Sequence, residues 1–315
     1  MKLLILGATG FIGKNLTLFF SRQKGFEVTA ARFTRDPLGI EGISEIDCDL
    51  RDPKSYGSLD LGAFDAAIHC AATTSGAKDI VNSPWLHVTD NAVMNSYLFR
   101  AAAEQKLPHL IFLSCTVMYP SSTEPVKESG FNGDILDRYY GVGWTKVYSE
   151  NMCRFFAGKS QTKFTVLRHS NIYGPHDKFL SEKSHVFAAT IDKVMDPQAK
   201  NVVVWGDGSE TRDWLHIDDL SEFLQKCLGQ NSQFELANVG LGKAHSIKSM
   251  VEQVVTASGK NLPIEYDTSQ PSIGNHLALD INHSKELFNW EPKISLESGI
   301  EKTLKWYKDN LLPLR

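Results

Sequence analysis

Six short segments rich in apolar residues alternate with longer amphipathic ones along the first half of the chain. Several are unbroken runs of Leu, Ile, Val, Ala or Phe rather than patterns that alternate with polar residues. Such runs are typical of parallel strands whose two faces are both covered by helices. We therefore predict strands at residues 3–6, 27–31, 43–47, 66–70, 109–114 and 164–168.

The segments between these runs predict helices, among them residues 90–105 and 140–156, where apolar side chains recur at helical spacing. The second half is less regular, because prolines and glycines interrupt residues 171–213. There we predict helices at 214–228, 247–258 and 296–312, and a strand at 234–239. This order predicts an α/β protein in which a smaller, interleaved α/β lobe interrupts the end of a first domain.

The first predicted strand runs directly into Gly7, Gly10 and Gly13, and an amphipathic helix follows. Glycine allows a tight turn and a close approach of phosphate to the main chain, and the free N–H groups at a helix start bind anions. The strand, turn and helix are typical of a Rossmann-type, doubly wound parallel sheet that binds a dinucleotide. The other turn residues predicted to contact the dinucleotide are Thr9, Phe11 and Ile12.

We accordingly predict a dinucleotide-binding domain over residues 1–171, completed by about 213–239, and a substrate lobe over 172–315. The formal net charge of −4 argues against a nucleic-acid partner. No apolar stretch is long enough to cross a bilayer, so no membrane partner is expected. The five cysteines are widely spread without a C-x-x-C pair. We therefore expect neither disulfides nor a metal site, and a reducing cytoplasm.

Several motifs together resemble those of the extended short-chain dehydrogenase/reductase family, the nucleotide-sugar epimerases and dehydratases. The resemblance covers the glycine turn, the fourth-strand motif at 64–72 and the carboxyl-terminal signature at 289–292. Residues 173–186 and 202–219 are similar to the GDP-L-fucose synthase branch of that family. The resemblance implies further cofactor contacts at Asp49, Leu50, Ala71, Ala72 and Asn91.

The family moves hydride between nicotinamide and a sugar carbon. In it, a tyrosine exchanges the hydroxyl proton, and a lysine four residues later lowers the pKa of that tyrosine. Lys146 matches the lysine, which also contacts the cofactor, but Val142 stands four residues before it. Tyr140 and Tyr139 lie six and seven residues before Lys146. Cys115 occupies the position of a family serine that binds the same sugar oxygen.

Three interpretations of this departure remain open. In the first, Tyr140 or Tyr139 reaches the site from a bulged helix start, and the redox reaction is retained. In the second, Cys115, Thr116 or His185 transfers the proton. In the third, the protein binds a nucleotide sugar without turning it over.

The residues after the second predicted strand bear on the choice of cofactor. Family members that use NAD place an acid there to hold the ribose hydroxyls, and this chain has none. Arg32 and Arg35 stand there instead, and guanidinium groups suit a 2′-phosphate. We predict NADP(H), with NAD(H) as the alternative.

For the substrate, the resemblance implies a GDP-linked 4-keto-deoxy sugar of the kind that feeds surface polysaccharides. Val117 replaces the cysteine that the fucose synthases use for epimerisation, which favours simple reduction. A C4 dehydrogenase or epimerase with retained NAD is the alternative chemistry. Helices near 90–105 and 140–156 match those through which many relatives form homodimers. The residues expected to contact the nucleotide sugar are Asn171, His185, Lys193, Trp205 and Arg212.

Overall fold

A computed structural model describes residues 1–73, 85–181, 184–270 and 274–314. The strands of the central sheet are β1 (Lys2–Leu6), β2 (Glu27–Arg32), β3 (Ser44–Asp47), β4 (Ala66–His69), β5 (His109–Leu113), β6 (Lys163–His169) and β10 (Phe234–Val239). Within the described ranges, these seven strands pair in the order β10-β6-β5-β4-β1-β2-β3, and every pairing is parallel. The predicted doubly wound parallel sheet is thus confirmed.

Helices cover both faces of this sheet because successive strand residues point to opposite sides. Leu3 and Ile5 of β1 pack in one apolar cluster with residues of α1 and α6, whereas Leu4 and Leu6 pack in another with residues of α3 and α4. All four leucine and isoleucine side chains are fully buried. The helices are α1 (Phe11–Ser21), α2 (Ser55–Ser58), α3 (Trp85–Glu104), α4 (Tyr140–Ala157), α5 (Val186–Met195), α6 (Ile217–Cys227), α7 (Ile247–Ser258), α8 (Asn282–Phe288) and α9 (Leu296–Asn310).

The smaller lobe contains two short sheets. Its strands are β7 (Asn171–Tyr173), β8 (Val202–Trp205), β9 (Thr211–His216), β11 (Ala244–Ser246) and β12 (Ile264–Asp267). One sheet has the order β11-β9-β7, and the other pairs β12 with β8. The lobe has its own apolar core of large side chains from α5, α7, α9 and β9.

Part of one predicted helix is wrong. Residues 214–216 end strand β9, and helix α6 begins only at Ile217. The change occurs at His216, whose side chain accepts a hydrogen bond from the backbone N–H of Asp218 and so caps α6. Strands of three or four residues, such as β7 and β11, are too short to leave a periodic signal in the sequence.

The two lobes interlock. The chain returns from the small lobe to place α6 against α1 and β10 against β6. Asn15 of α1 donates from its amide to the carbonyl of Pro175 at 2.8 Å, which ties the helix after the glycine turn to the small lobe. Across the described ranges, no helix has the length and apolar content that crossing a bilayer requires.

Candidate functional site

The glycine turn lies at the carboxyl end of β1 and is closed tightly. Gly7 has φ +79°, and a Cβ added there would meet the Cα of Ala71 at 2.6 Å. A Cβ on Gly13 would stand 2.2 Å from the carbonyl oxygen of Gly7. Because α1 begins directly after Gly10, its first-turn N–H groups have no acceptor within the helix. These free N–H groups and the positive end of the helix dipole suit the pyrophosphate of a dinucleotide.

The segment after β4 forms the second wall of this crevice. Asn91 of α3 accepts from the N–H of Thr73 at 2.9 Å and donates to its carbonyl at 3.0 Å. This pair of bonds fixes the end of the segment that contains Ala71 and Ala72. The asparagine singled out in the sequence therefore shapes the crevice through the backbone.

Asp49 and Leu50 follow β3 on the other side of β1. Arg51 binds both carboxylate oxygens of Asp49, at 3.0 and 3.1 Å. These hydrogen bonds lower the pKa of the Asp49 carboxyl, so the group is an anionic acceptor. Leu50 is buried.

The two arginines after β2 differ in their surroundings. Arg32 faces Asp47 across the β2–β3 pairing and forms an ion pair with it at 2.8 Å. Arg35 is exposed and donates to the carbonyl of Thr9 in the glycine turn at 2.7 Å. It lines a cavity of about 400 Å³ together with Thr9, Lys14, Thr34, Asp36, Pro37 and Leu38. Arg35 thus lines a space that a ligand can enter, whereas Arg32 is held in an ion pair.

Lys146 lies at the carboxyl end of β5. Its ammonium donates to the carbonyl oxygen of Leu113 at 3.0 Å and stands 4.9 Å from the centre of the Phe112 ring. Cys115, two residues beyond Leu113, is partly buried next to Thr116. Burial raises the pKa of the Cys115 thiol, and the charge of Lys146 opposes that shift. The Lys146 ammonium and the Cys115 thiol therefore form one corner of the site at the carboxyl end of β5, and Thr116 is the next residue in the chain.

The structure does not support the predicted role of Tyr140. Helix α4 is continuous from Tyr140, with no bulge at its start, and six residues put this side chain and Lys146 on different faces. Tyr140 is 61% exposed and packs its ring edge-on against Trp144, with centroids 6.3 Å apart. Val142, one turn before Lys146, takes the place on the lysine face that the family gives to tyrosine.

A buried ion pair behind this corner escaped the sequence analysis. Glu150, one turn after Lys146 on α4, binds Arg168 of β6 through three hydrogen bonds. The two side chains are only 6% and 5% exposed. Glu150 also accepts from the hydroxyl of Ser114 at 2.6 Å, and Arg168 donates to the hydroxyl of Tyr119 at 2.9 Å.

This pair holds both ends of the turn from Ser114 to Tyr119, which contains Cys115 and Thr116. The sequence offered two signals. Arg168 is a charged residue at the end of an apolar strand, and Glu150 is an acid four residues after Lys146. Neither residue indicates its partner without the fold, because 18 residues separate them.

On the small lobe, Arg212 of β9 is half-buried and forms an ion pair with Glu210. It also donates to the carbonyl of Asn275 at 2.7 Å. Asn171 is exposed where β7 begins, two residues beyond the carboxyl end of β6. Asn171 therefore lies near the carboxyl edge of the main sheet, whereas Arg212 lies on the small lobe.

The remaining predicted substrate residues lie around α5 and β8. His185 is exposed at the amino end of α5. Lys193, in the last turn of α5, donates to the carbonyl of Val203 at 2.7 Å, and burial lowers the pKa of its ammonium. Trp205 ends β8 and is 55% exposed. Lys193 and Trp205 thus belong to one edge of the small lobe.

Comparisons with known proteins agree with this geometry. A model of the NAD dependent epimerase/dehydratase family matches residues 3–240. GDP-L-colitose synthase of Yersinia pseudotuberculosis is 26% identical, with 98% of each chain covered. GDP-L-fucose synthase of Escherichia coli (strain K12) is 27% identical and covers 98% of this chain and 97% of its own. UDP-glucose 4-epimerase from Thermotoga maritima, solved with UDP-glucose, has the same fold, with a TM-score of 0.87, 22% identity, and coverage of 99% of this chain and 100% of its own.

Proposed function

Because the chain belongs to the NAD dependent epimerase/dehydratase family, we propose that it reduces the keto group of a nucleotide-activated 4-keto-deoxy sugar. The observation that carries the proposal is the position of Lys146, fixed on the carbonyl of Leu113 at the carboxyl end of β5. The glycine turn lies in the same sheet two strands away, with β4 between β5 and β1. Ligands of such sheets bind at this edge.

The residues present suit a dinucleotide. Its pyrophosphate would bind the N–H groups at the start of α1, where a Cβ on Gly13 would clash with Gly7. When bound, the nicotinamide supplies or accepts the hydride. Lys146 orients the ribose and holds positive charge beside the reacting oxygen, and the hydroxyl of Thr116 and the thiol of Cys115 line the same corner.

NADP(H) is the cofactor that we propose. Arg35 and Lys14 both line the cavity beside the glycine turn, and two cations there favour the 2′-phosphate. Arg32 contributes less than the sequence predicts, because Asp47 already neutralises it. NAD(H) remains the alternative cofactor.

For the substrate, we propose a GDP-linked sugar, as in the two relatives named above, in a cytoplasmic pathway to surface polysaccharides. Arg212 would bind the diphosphate, and Asn171 and His185 would contact the sugar. Trp205 offers an exposed ring on which a base can stack, with Lys193 beside it. Val117 in place of the epimerisation cysteine supports reduction without epimerisation at two carbons. C4 oxidation or epimerisation with retained NAD is the alternative chemistry.

We also propose a homodimer through α3 and α4. These helices pack on one another, and both expose apolar or aromatic side chains: Val93 on α3, and Trp144, Tyr148 and Phe155 on α4. A single apolar side chain on a surface is ordinary, whereas several on two adjacent helices favour an interface.

The second candidate function is binding of a nucleotide sugar without redox chemistry, which Val142 favours because it cannot exchange a proton. The test mixes the protein and NADPH or NADH with GDP-, UDP-, dTDP- and CDP-linked 4-keto sugars in single turnover. We expect oxidation of NADPH with the GDP-linked sugar. If both redox forms of the cofactor bind but none of the four sugars oxidises the reduced form, the redox proposal is wrong and the binding function replaces it.

A further inference from the structure

The face of α4 that carries Lys146 also points toward Tyr139. Seven residues separate the two, which is close to two turns of a helix. Tyr139 ends a short 3₁₀ turn (Asp137–Tyr139) that runs straight into α4. Between them lies Gly143, on which an added Cβ would stand 2.8 Å from Ile135 Cγ2 and 3.6 Å from the carbonyl oxygen of Val117. This face of the helix therefore lies against the turn that follows β5.

Groups from both lobes surround the phenol of Tyr139. The side chain is partly buried, and burial raises the pKa of the phenol. The guanidinium of Arg212, on the small lobe, lowers that pKa, whereas the nearby acids of Glu210 and Cys115 raise it; Arg138 has a smaller lowering effect. The helical spacing places Tyr139 on the face of α4 that carries Lys146, and the effect of Arg212 on its pKa agrees with a position on the side of the small lobe.

In the proposed function, the reacting sugar lies in this region. The proposed diphosphate contact is Arg212, and the proposed nicotinamide end of the cleft is marked by Lys146 and Cys115. A sugar that joins the diphosphate to the reacting carbon spans the interval between these groups. Tyr140, in contrast, is exposed and packs on Trp144.

We propose that Tyr139 is the proton donor to the sugar carbonyl, in place of the tyrosine that Val142 replaces. This inference rests on the proposed function and adds the identity of its acid.

The carbonyl carbon gains a hydride from the reduced nicotinamide, and the C=O π bond opens onto oxygen. The O–H bond of Tyr139 breaks, and its proton moves to that oxygen. The ketone becomes an alcohol, the nicotinamide becomes oxidised, and solvent reprotonates the phenolate.

The kinetic test compares Tyr139→Phe with Tyr140→Phe, which removes the same hydroxyl one residue later. With NADPH and the GDP-linked 4-keto sugar, we expect Tyr139→Phe to slow single-turnover hydride transfer ~10²–10⁴-fold, the usual contribution of a general acid. Binding of GDP and NADPH should stay unchanged, and Tyr140→Phe should keep the wild-type rate. A wild-type rate in Tyr139→Phe, or an equal loss in Tyr140→Phe, overturns the proposal while leaving the proposed reductase intact.

A second measurement needs neither cofactor nor substrate. In protein labelled with ¹³C at tyrosine Cζ, the resonance missing from Tyr139→Phe identifies this phenol. We expect Arg212→Gln to raise its titration midpoint, because a neighbouring positive charge is removed. The exposed control Arg22→Gln should not. An unchanged midpoint in Arg212→Gln would place the phenol outside the cleft and overturn the assignment, even if no substrate were ever found.

Discussion

The Nζ atom of Lys146 and the carbonyl oxygen of Leu113 lie 3.0 Å apart and form a hydrogen bond. This bond joins the middle of α4 to the last residue of β5, so the ammonium is fixed at the edge of the sheet where the chain leaves it. A flexible four-carbon side chain is thereby held in one direction before any ligand arrives.

Replacing this ammonium should impair the chemistry more than the fold. We expect Lys146→Met to slow single-turnover hydride transfer at least ~10²-fold, because positive charge beside the reacting oxygen is lost. Lys159→Met, on an exposed residue after the same helix, serves as the matched control. Stopped-flow absorbance of the reduced nicotinamide measures both. An unchanged rate in Lys146→Met would count heavily against the redox proposal.

The tight glycine turn predicts a specific loss of cofactor binding. Gly13→Ala places a Cβ 2.2 Å from the Gly7 carbonyl oxygen, so the turn must open. Such overpacking costs about 1–3 kcal/mol, and we expect NADPH affinity to fall about tenfold or more. Gly57→Ala is the control, since a Cβ there meets nothing within 4 Å. Fluorescence titration of NADPH measures both variants, and equal affinities would show that the turn does not hold the dinucleotide.

Cofactor choice should depend on Arg35 and only weakly on Arg32. Charge-assisted hydrogen bonds contribute about 1.5–3 kcal/mol, so we expect Arg35→Gln to weaken NADPH binding about 10–100-fold and to leave NADH binding unchanged. Arg32→Gln should have the smaller effect, because Asp47 already pairs with Arg32. Calorimetric titration with NADPH and with NADH gives the ratio of the two affinities for wild type and for each variant. The NADP proposal fails if wild-type protein and Arg35→Gln discriminate equally.

The buried pair of Glu150 and Arg168 predicts a large effect on stability. Glu150→Gln leaves the guanidinium of Arg168 buried without its counter-charge, and breaking such a pair costs about 3–5 kcal/mol. Glu104→Gln, whose ion pair with Arg100 is exposed, should stay within about 1 kcal/mol of wild type. Urea denaturation followed by circular dichroism gives both values. Similar stabilities for the two variants would contradict the role assigned to the buried pair.

Stability should decrease in mild acid because of buried imidazoles. Burial lowers the pKa of His109 to about 4, below its ordinary value of 6.5. The unfolded chain therefore takes up a proton before the folded protein does, so the contribution of His109 is complete above pH 6.5 and declines as the pH falls toward 4. Between pH 7 and pH 5, the loss is about 2 kcal/mol.

His69 should also reduce stability as the pH falls, because burial again lowers its pKa to about 4. Urea denaturation at pH 7 and at pH 5 tests the effect, with His109→Gln compared with His283→Gln at an exposed site. The decrease in the free energy of unfolding between pH 7 and pH 5 should be about 2 kcal/mol smaller in His109→Gln than in wild type. In His283→Gln it should be unchanged. If His109→Gln lost as much stability between pH 7 and pH 5 as wild type, folding would not lower the pKa of His109.

How far the sequence predicts the fold depends on the length of the element. The strands of the main sheet are predictable because a short, unbroken apolar run between turn-forming residues is typical of a buried parallel strand. Helix α7 matches its predicted residues, Ile247–Ser258. The short strands of the small lobe are fixed by pairing with distant segments, which local periodicity does not report. Trp214 is an example, since its neighbours fit an amphipathic helix while β9 pairs it with Asn171.

The same distinction between local patterns and contacts of distant segments applies to the site. The glycine turn and Lys146 stand in local motifs, so their positions are predictable. The pairing of Arg32 with Asp47 depends on the register of β2 against β3, and the exposure of Tyr140 depends on the residue at which α4 begins. Both are consequences of tertiary structure, which local sequence patterns do not report.

The position of β10 has a consequence for synthesis of the protein on the ribosome. Its residues, Phe234–Val239, pair with β6, which is translated some seventy residues earlier. Until they emerge, the nascent chain displays an apolar strand with a bare edge, and such edges recruit other chains. Premature termination between β6 and β10 should therefore yield an aggregation-prone fragment rather than a working cofactor-binding half.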